Sequence, residues 1–183
     1  MATENKTEEV LFAGFGGQGV LSMGKILAYS GMEEGKEVSW MPSYGPEMRG
    51  GTANCVVIIS DTKIISPIIS TYDTVIALNQ PSIDKFEQKV KPGGVLIYET
   101  STVNKPPTRT DIKIISVNAN EEALKMGFQK GFNMIVLGAF LEARKTVSPD
   151  GVEKGLKKAL PQRAHSSIPQ NIEAFKKGAA YVK

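Results

Sequence analysis

Six residues, Gly14-Phe15-Gly16-Gly17-Gln18-Gly19, follow the apolar run Val10-Leu11-Phe12-Ala13 and open a helical pattern from Val20 to Tyr29. No other stretch limits the fold as tightly. A strand that turns through glycines into a helix starts an α/β unit and leaves an anion site at the turn. The helix N-terminus offers unpaired N–H groups and a partial positive charge. Glycines let a phosphate or another backbone come close, because no Cβ stands in the way.

Strand and helix patterns keep alternating after this unit. Strands are expected at Glu37–Met41, Thr52–Ser60, Asp73–Leu78, Val95–Tyr98 and Ile112–Val117. The first helix should close near Gly31 or Gly35. A second helix should begin at Pro81, which suits a first turn, and stop at Lys91-Pro92-Gly93-Gly94. Four more helices are expected: Glu121–Met126, Asn133–Arg144, Gly151–Leu160 and Gln170–Tyr181. Asn133–Arg144 is apolar around most of its circumference, which places it in the core.

This order predicts a single α/β domain: a mostly parallel open sheet with helices on both faces. An antiparallel hairpin within Thr52–Ile65 is one way to extend it. Residues 1–8 read as a flexible tail and 9–183 as the domain. At 183 residues the chain is long enough for one well-packed domain.

As a pattern, Gly14-x-Gly16-x-x-Gly19 matches the dinucleotide-binding fingerprint. Such a site also needs an acidic residue at the end of the next strand, to hold the ribose hydroxyls. The strand here ends in Val38-Ser39-Trp40-Met41, with no carboxylate and no arginine. A stand-alone, Rossmann-like nucleotide-binding protein therefore stays only as the alternative reading. Close helix–strand packing with nothing bound is another. Gln18, a long amide beside the helix start, speaks for more than a bare packing turn.

The second concentrated region is Ser43-Tyr44-Gly45-Pro46-Glu47-Met48-Arg49-Gly50-Gly51-Thr52. Pro46, with Pro42 just before it, stiffens the loop, and Gly45, Gly50 and Gly51 permit tight turns. The loop follows the second strand, so it should share an edge with the glycine turn. Arg49 could clamp a phosphate or carboxylate through its planar fork. An internal Glu47–Arg49 ion pair is the structural alternative. Docking on another protein is the third reading, since Tyr, Met and Arg are enriched at such contacts.

Catalytic equipment is sparse. The single histidine, His165, has no nucleophile or carboxylate beside it in sequence, and no metal-ligand spacing appears. There is no nucleophile elbow and no phosphate-loop lysine. Cys55 is the only cysteine, so the chain cannot hold an iron–sulfur cluster alone. It lies in the apolar run Asn54–Ile59 and reads as a buried free thiol. A net charge of +3 is spread without basic–aromatic clusters, which argues against a nucleic-acid face. The polar start lacks a signal peptide's apolar stretch and no run is long enough to span a membrane. The cytoplasm is the expected compartment.

The glycine turn and the Ser43–Thr52 loop occur together, in order. Downstream follow Ser66-Pro67, Asp73, Ala77-Leu78-Asn79-Gln80-Pro81-Ser82 and Lys91-Pro92-Gly93-Gly94. This set resembles the gamma subunit of the 2-oxoacid:ferredoxin oxidoreductases, in its 2-oxoglutarate or branched-chain form, from about Glu9 onward. The resemblance implies oxidative decarboxylation of a 2-oxoacid, with 2-oxoglutarate the expected substrate, to acyl-CoA and carbon dioxide with reduction of ferredoxin. It implies thiamine diphosphate, Mg2+ and 4Fe-4S clusters on alpha and beta partner subunits, with a ferredoxin-like delta subunit in some complexes. No cofactor is expected to be tightly bound by this chain, which alone should be inactive; a homodimer is one form it could take in isolation. Coenzyme A is the ligand suggested for Gly14, Gly16, Gly17, Gln18, Gly19 and Arg49. Subunit docking is suggested for Ser43 through Thr52.

Overall fold

The protein is described by a computed structural model that covers residues 6–44 and 51–182. Its first strand, β1 (Thr7–Phe15), feeds through the glycine turn into α1 (Val20–Glu33). Then come β2 (Glu37–Tyr44), β3 (Thr52–Ser60), β4 (Tyr72–Ala77), α2 (Gln80–Phe86), β5 (Val90–Glu99) and β6 (Lys113–Val117). The remainder is helical: α3 (Ala119–Lys125), α4 (Phe132–Arg144), α5 (Pro149–Ala159) and α6 (Ile168–Ala179).

The strands form one sheet in the order β2-β3-β1-β4-β5-β6. β1, β4, β5 and β6 run parallel, as alternating strands and helices require. β3 lies antiparallel between β1 and β2. The antiparallel extension is therefore real, but Ile64-Ile65 takes no part in it. Ser60 ends β3, and residues 61–71 instead run to β4 along the edge opposite the glycine turn.

The two faces of the sheet are covered unevenly. Val10 and Phe12 of β1 face the larger core with α1, α3, α4, α5 and α6. In α4 every residue from Met134 to Leu141 is buried, and Phe140 meets Phe12 edge-on with ring centroids 6.4 Å apart. Leu11 and Ala13 face the other way, toward Phe86 of α2 and Ile112. On this face the register aligns one apolar row across all six strands: Met41, Val56, Leu11, Val75, Leu96 and Ile114. Its centre is sealed and its ends, Met41 and Ile114, are exposed.

Three boundaries differ from the sequence expectation. β1 begins inside the expected tail, because Glu8 is buried and its carboxylate takes three hydrogen bonds from the Arg144 guanidinium and one from Thr74 Oγ1. β2 runs on through Pro42 to Tyr44. As the edge strand it can carry a proline without losing a ladder bond. β5 begins at Val90, because Lys91–Gly94 bulge out of the ladder between the Tyr72–Val90 and Thr74–Val95 pairs. The loop residues Gly45, Pro46, Glu47, Met48, Arg49 and Gly50 lie outside the described residues. No helix among those described is long and apolar enough to cross a membrane.

Candidate functional site

The carboxyl ends of β1 and β4 lie side by side, held by Leu78 N–H donating to the Ala13 carbonyl at 2.9 Å. β2 is antiparallel to β3 and β3 to β1, so β2 also ends at this edge. The expected meeting of the two glycine-rich loops follows from that topology. Gly16 N–H donates to the Gly51 carbonyl at 2.8 Å. Thr52 pairs with Phe15, and Ala53 with both Gly14 and Tyr44.

Gly17 and Gly19 hold φ values of 101° and 78°, where a side chain would be strained. Gly14 serves packing instead. A Cβ there would stand 2.8 Å from Gln18 Oε1 and 2.9 Å from Val20 Cγ2. Gly19 is the N-cap of α1; no side chain caps the helix and no acidic residue occupies its first turn. The partial positive charge at this terminus is thus uncompensated by the helix's own side chains.

The Gln18 side chain is a latch across the turn. Its Oε1 accepts from Phe15 N–H at 2.6 Å and from Asn79 Nδ2 at 3.3 Å, and its Nε2 donates to the Leu78 carbonyl at 2.9 Å. Leu78 O also accepts from Thr102 Oγ1 at 2.8 Å. Thr102 is tied in turn to the fully buried Glu99 carboxylate, which accepts its N–H as well as Ser101 Oγ–H. One hydrogen-bonded chain thus joins the loops after β1, β4 and β5. Asn79 Oδ1 closes it by capping α2 through Ser82 N–H at 2.9 Å.

Three cavities surround the start of α1. The first, of about 250 Å³, lies among Phe15, Gly16, Val20, Ser22 and Ala53. The second, of about 430 Å³, is on the other side of Gly17 and Gly19, against Asn120, Lys130 and Asn133. The third, of about 580 Å³, shares Ser22, Lys130 and Asn133 and is reached by Arg163. Among the described residues no carboxylate lines any of the three. Lys130 and Arg163 have no ion pair among the described residues. The arrangement is suited to holding an extended anion.

Sequence reasoning missed Lys130, Asn133 and Arg163. They lie far along the chain, and only the packing of α4 on α1 and of α6 on α4 brings them to the turn. Cys55 is buried, as expected, with its Sγ 3.5 Å from the Val20 carbonyl. Burial pushes its thiol up to about 12, against smaller opposing effects from Trp40 and Gly24. It is not a nucleophile in this fold. His165 is half-buried, with Nε2 3.2 Å from the Leu160 carbonyl. Of the expected docking residues, Ser43 is exposed at the end of β2, and Gly51 and Thr52 flank the glycine turn.

Comparison with known proteins gives consistent matches. Residues 9–181 match the Pyruvate ferredoxin/flavodoxin oxidoreductase family. The chain is 37% identical to ketoisovalerate oxidoreductase subunit VorA of Methanothermobacter thermautotrophicus over 95% of its own length but only 36% of that protein's. It thus spans about a third of such longer relatives. It is 32% identical to 2-oxoglutarate synthase subunit KorC of Methanocaldococcus jannaschii, covering 96% of this chain and 94% of that one. Among solved structures it resembles the gamma subunit of a keto/oxoacid ferredoxin oxidoreductase from Geobacter sulfurreducens, with a TM-score of 0.80, 31% identity, and 96% and 98% of the two chains covered. It also resembles the 2-oxoglutarate:ferredoxin oxidoreductase of Magnetococcus marinus, solved with 2-oxoglutarate, coenzyme A and succinyl-CoA bound. That likeness has a TM-score of 0.85 and 26% identity, over 97% of this chain and 31% of that one.

Proposed function

The chain belongs to the pyruvate ferredoxin/flavodoxin oxidoreductase family, and from that premise we propose that it is the gamma-type subunit of a 2-oxoacid:ferredoxin oxidoreductase. In this reading the assembled complex oxidatively decarboxylates a 2-oxoacid to an acyl-CoA and carbon dioxide and passes electrons to ferredoxin. The substrate proposed is 2-oxoglutarate. Support comes from the KorC relative, which has nearly the same extent as this chain. The higher identity to the ketoisovalerate subunit favours a branched-chain 2-oxoacid as the second reading.

Thiamine diphosphate, Mg2+ and the iron–sulfur clusters are assigned to partner subunits. This chain's residues do not fit an iron–sulfur cluster: its one cysteine is an inert buried thiol. The described residues also offer no group of three metal-ligating side chains. Coenzyme A does fit. The observation that carries this is the uncapped start of α1, around which no carboxylate stands among the described residues. Backbone N–H groups of Gly17 and of Gly19 to Ser22 would hold a phosphate, while Lys130 and Arg163 would neutralise others; the Gln18 N–H is already committed to the Phe15 carbonyl. Coenzyme A supplies the thiol that accepts the acyl group. This chain's part is to bind and orient it, and the Ser43–Thr52 loop completes the edge against the thiamine-bearing subunits.

Co-purification from the native host, with partner identification and a panel of 2-oxoacids, tests the proposal. Thiamine-dependent and iron–sulfur subunits should co-purify, with 2-oxoglutarate the best substrate. A solitary chain that binds NADH at micromolar concentration would overturn it in favour of the stand-alone nucleotide-binding alternative.

A further inference from the structure

Glu99, the last residue of β5, is completely buried, and no lysine or arginine pairs with it among the described residues. A buried carboxylate without a cation has to be held by hydrogen-bond donors. Here Oε2 accepts from Ser101 Oγ–H at 2.7 Å and from Thr102 N–H at 3.1 Å, and Oε1 accepts from Asn120 N–H at 3.3 Å. These bonds tie two walls of the 430 Å³ cavity to one group. Asn120 is one wall, and Gln18, reached through Thr102 and the Leu78 carbonyl, is another.

The carboxylate also sets a direction. It can only accept, so the Ser101 hydroxyl donates its single hydrogen to Glu99. Ser101 Oγ must then accept from its other neighbour, the Asn120 side chain 2.6 Å away, and an amide donates only through its nitrogen. Nδ2 therefore faces Ser101, and Oδ1 is left as an acceptor with no partner among the described residues. Asn120 is exposed and lines the cavity together with Gly17 and Gly19.

We propose that Glu99 is a positioning residue for ligand recognition: acting through Ser101, it orients the Asn120 amide so that Oδ1 meets an N–H or hydroxyl group of the bound anion. The proposal rests on the coenzyme A reading above; coenzyme A carries donors of both kinds. A glutamine at position 99 would abolish the direction. Its amide can donate to Ser101, Ser101 can then donate to Asn120 Oδ1, and the Asn120 amide turns round to present Nδ2.

The test uses the reconstituted complex and two probes: coenzyme A, and inorganic sulfate, an anion with no hydrogen to donate. Ser101→Ala cuts the relay and leaves Glu99 with its backbone donors. It should weaken coenzyme A binding about fivefold and leave the inhibition constant of sulfate against coenzyme A unchanged. Ser101→Thr keeps the hydroxyl and should bind as wild type. Glu99→Gln should match Ser101→Ala; if it does not fold, Ser101→Ala still decides, and if it folds with wild-type affinity the proposal is overturned. Equal weakening of both probes by Ser101→Ala would show a change of cavity shape alone and also overturns it. Wild-type affinity of Ser101→Ala, while Lys130→Ala binds coenzyme A more weakly, overturns the proposal and leaves the coenzyme A reading intact. Wild-type affinity of both variants overturns both.

Discussion

Gly16 donates its backbone N–H to the carbonyl of Gly51 at 2.8 Å, and this bond ties the two glycine-rich loops into one edge. The contact uses no side chain, and both partners are glycines, so the loops approach backbone to backbone. Antiparallel pairing of β3 with β1 delivers Gly51 to that spot. The geometry of this edge is thus set by sheet topology as much as by the turn itself.

Gln18→Ala should loosen the turn. It removes the acceptor of Phe15 N–H and the donor to Leu78 O, a loss of about 1–3 kcal/mol. Gln18→Glu keeps the acceptor but turns an oxygen toward the Leu78 carbonyl and adds negative charge at the helix start. It should destabilise at least as much and raise the apparent KM for coenzyme A further. Urea unfolding and coenzyme A titration of the reconstituted complex read the two effects separately.

Gly24 lets α1 settle onto β3. A Cβ there would collide with the Cys55 sulfur and sit 3.1 Å from Trp40 Nε1. Gly24→Ala should cost about 1–3 kcal/mol through overpacking. In the double variant Gly24→Ala/Cys55→Ala the colliding sulfur is gone, so the two losses should sum to more than the measured total. Strict additivity in denaturant unfolding would show that the helix has room to shift.

The Cys55 thiol gives the fold an alkaline weakness. Its pKa is about 12 when folded against an ordinary value of 9.0, so above pH 9 the unfolded chain binds fewer protons than the native one. Stability from this group is complete below pH 9 and is lost as pH rises toward 12. Wild type should lose more stability over that window than Cys55→Ala, measured by urea midpoints at stepped pH. At pH 8 the native thiol should stay unlabelled by a thiol reagent until denaturant is added.

Arg49→Lys keeps the charge but loses the planar fork. If Arg49 grips a phosphate of coenzyme A, the apparent coenzyme A requirement of the complex should rise several-fold while the subunits stay assembled. Dissociation on gel filtration, with the coenzyme A requirement unchanged, would assign the residue to docking instead.

Much of this was written locally in the chain. Val10–Ala13, the glycines and Val20–Tyr29 announce a strand, a turn and a helix through apolar run, φ-permissive residues and helical spacing. Buried stretches such as Met134–Leu141 are equally plain. What could not be read is pairing. Nothing near Thr52–Ser60 says that it inserts antiparallel between β1 and β2, and the β-branched pair Ile64-Ile65 mimics a hairpin arm. Proline at position 42 looked like a strand stop because edge position is a tertiary property. Lys130 and Arg163 were invisible as site residues for the same reason. Gln18 stood out correctly as unusual, and its partners Leu78 and Asn79 lie sixty residues away.

Pro42 has a further consequence while the chain is alone. β2 closes one side of the sheet with nothing described beyond it, and such a margin invites another strand to add itself. A residue without an N–H interrupts the row of donors that an incoming strand would need. In the proposed complex this would guard a chain not yet assembled against polymerising through its own border.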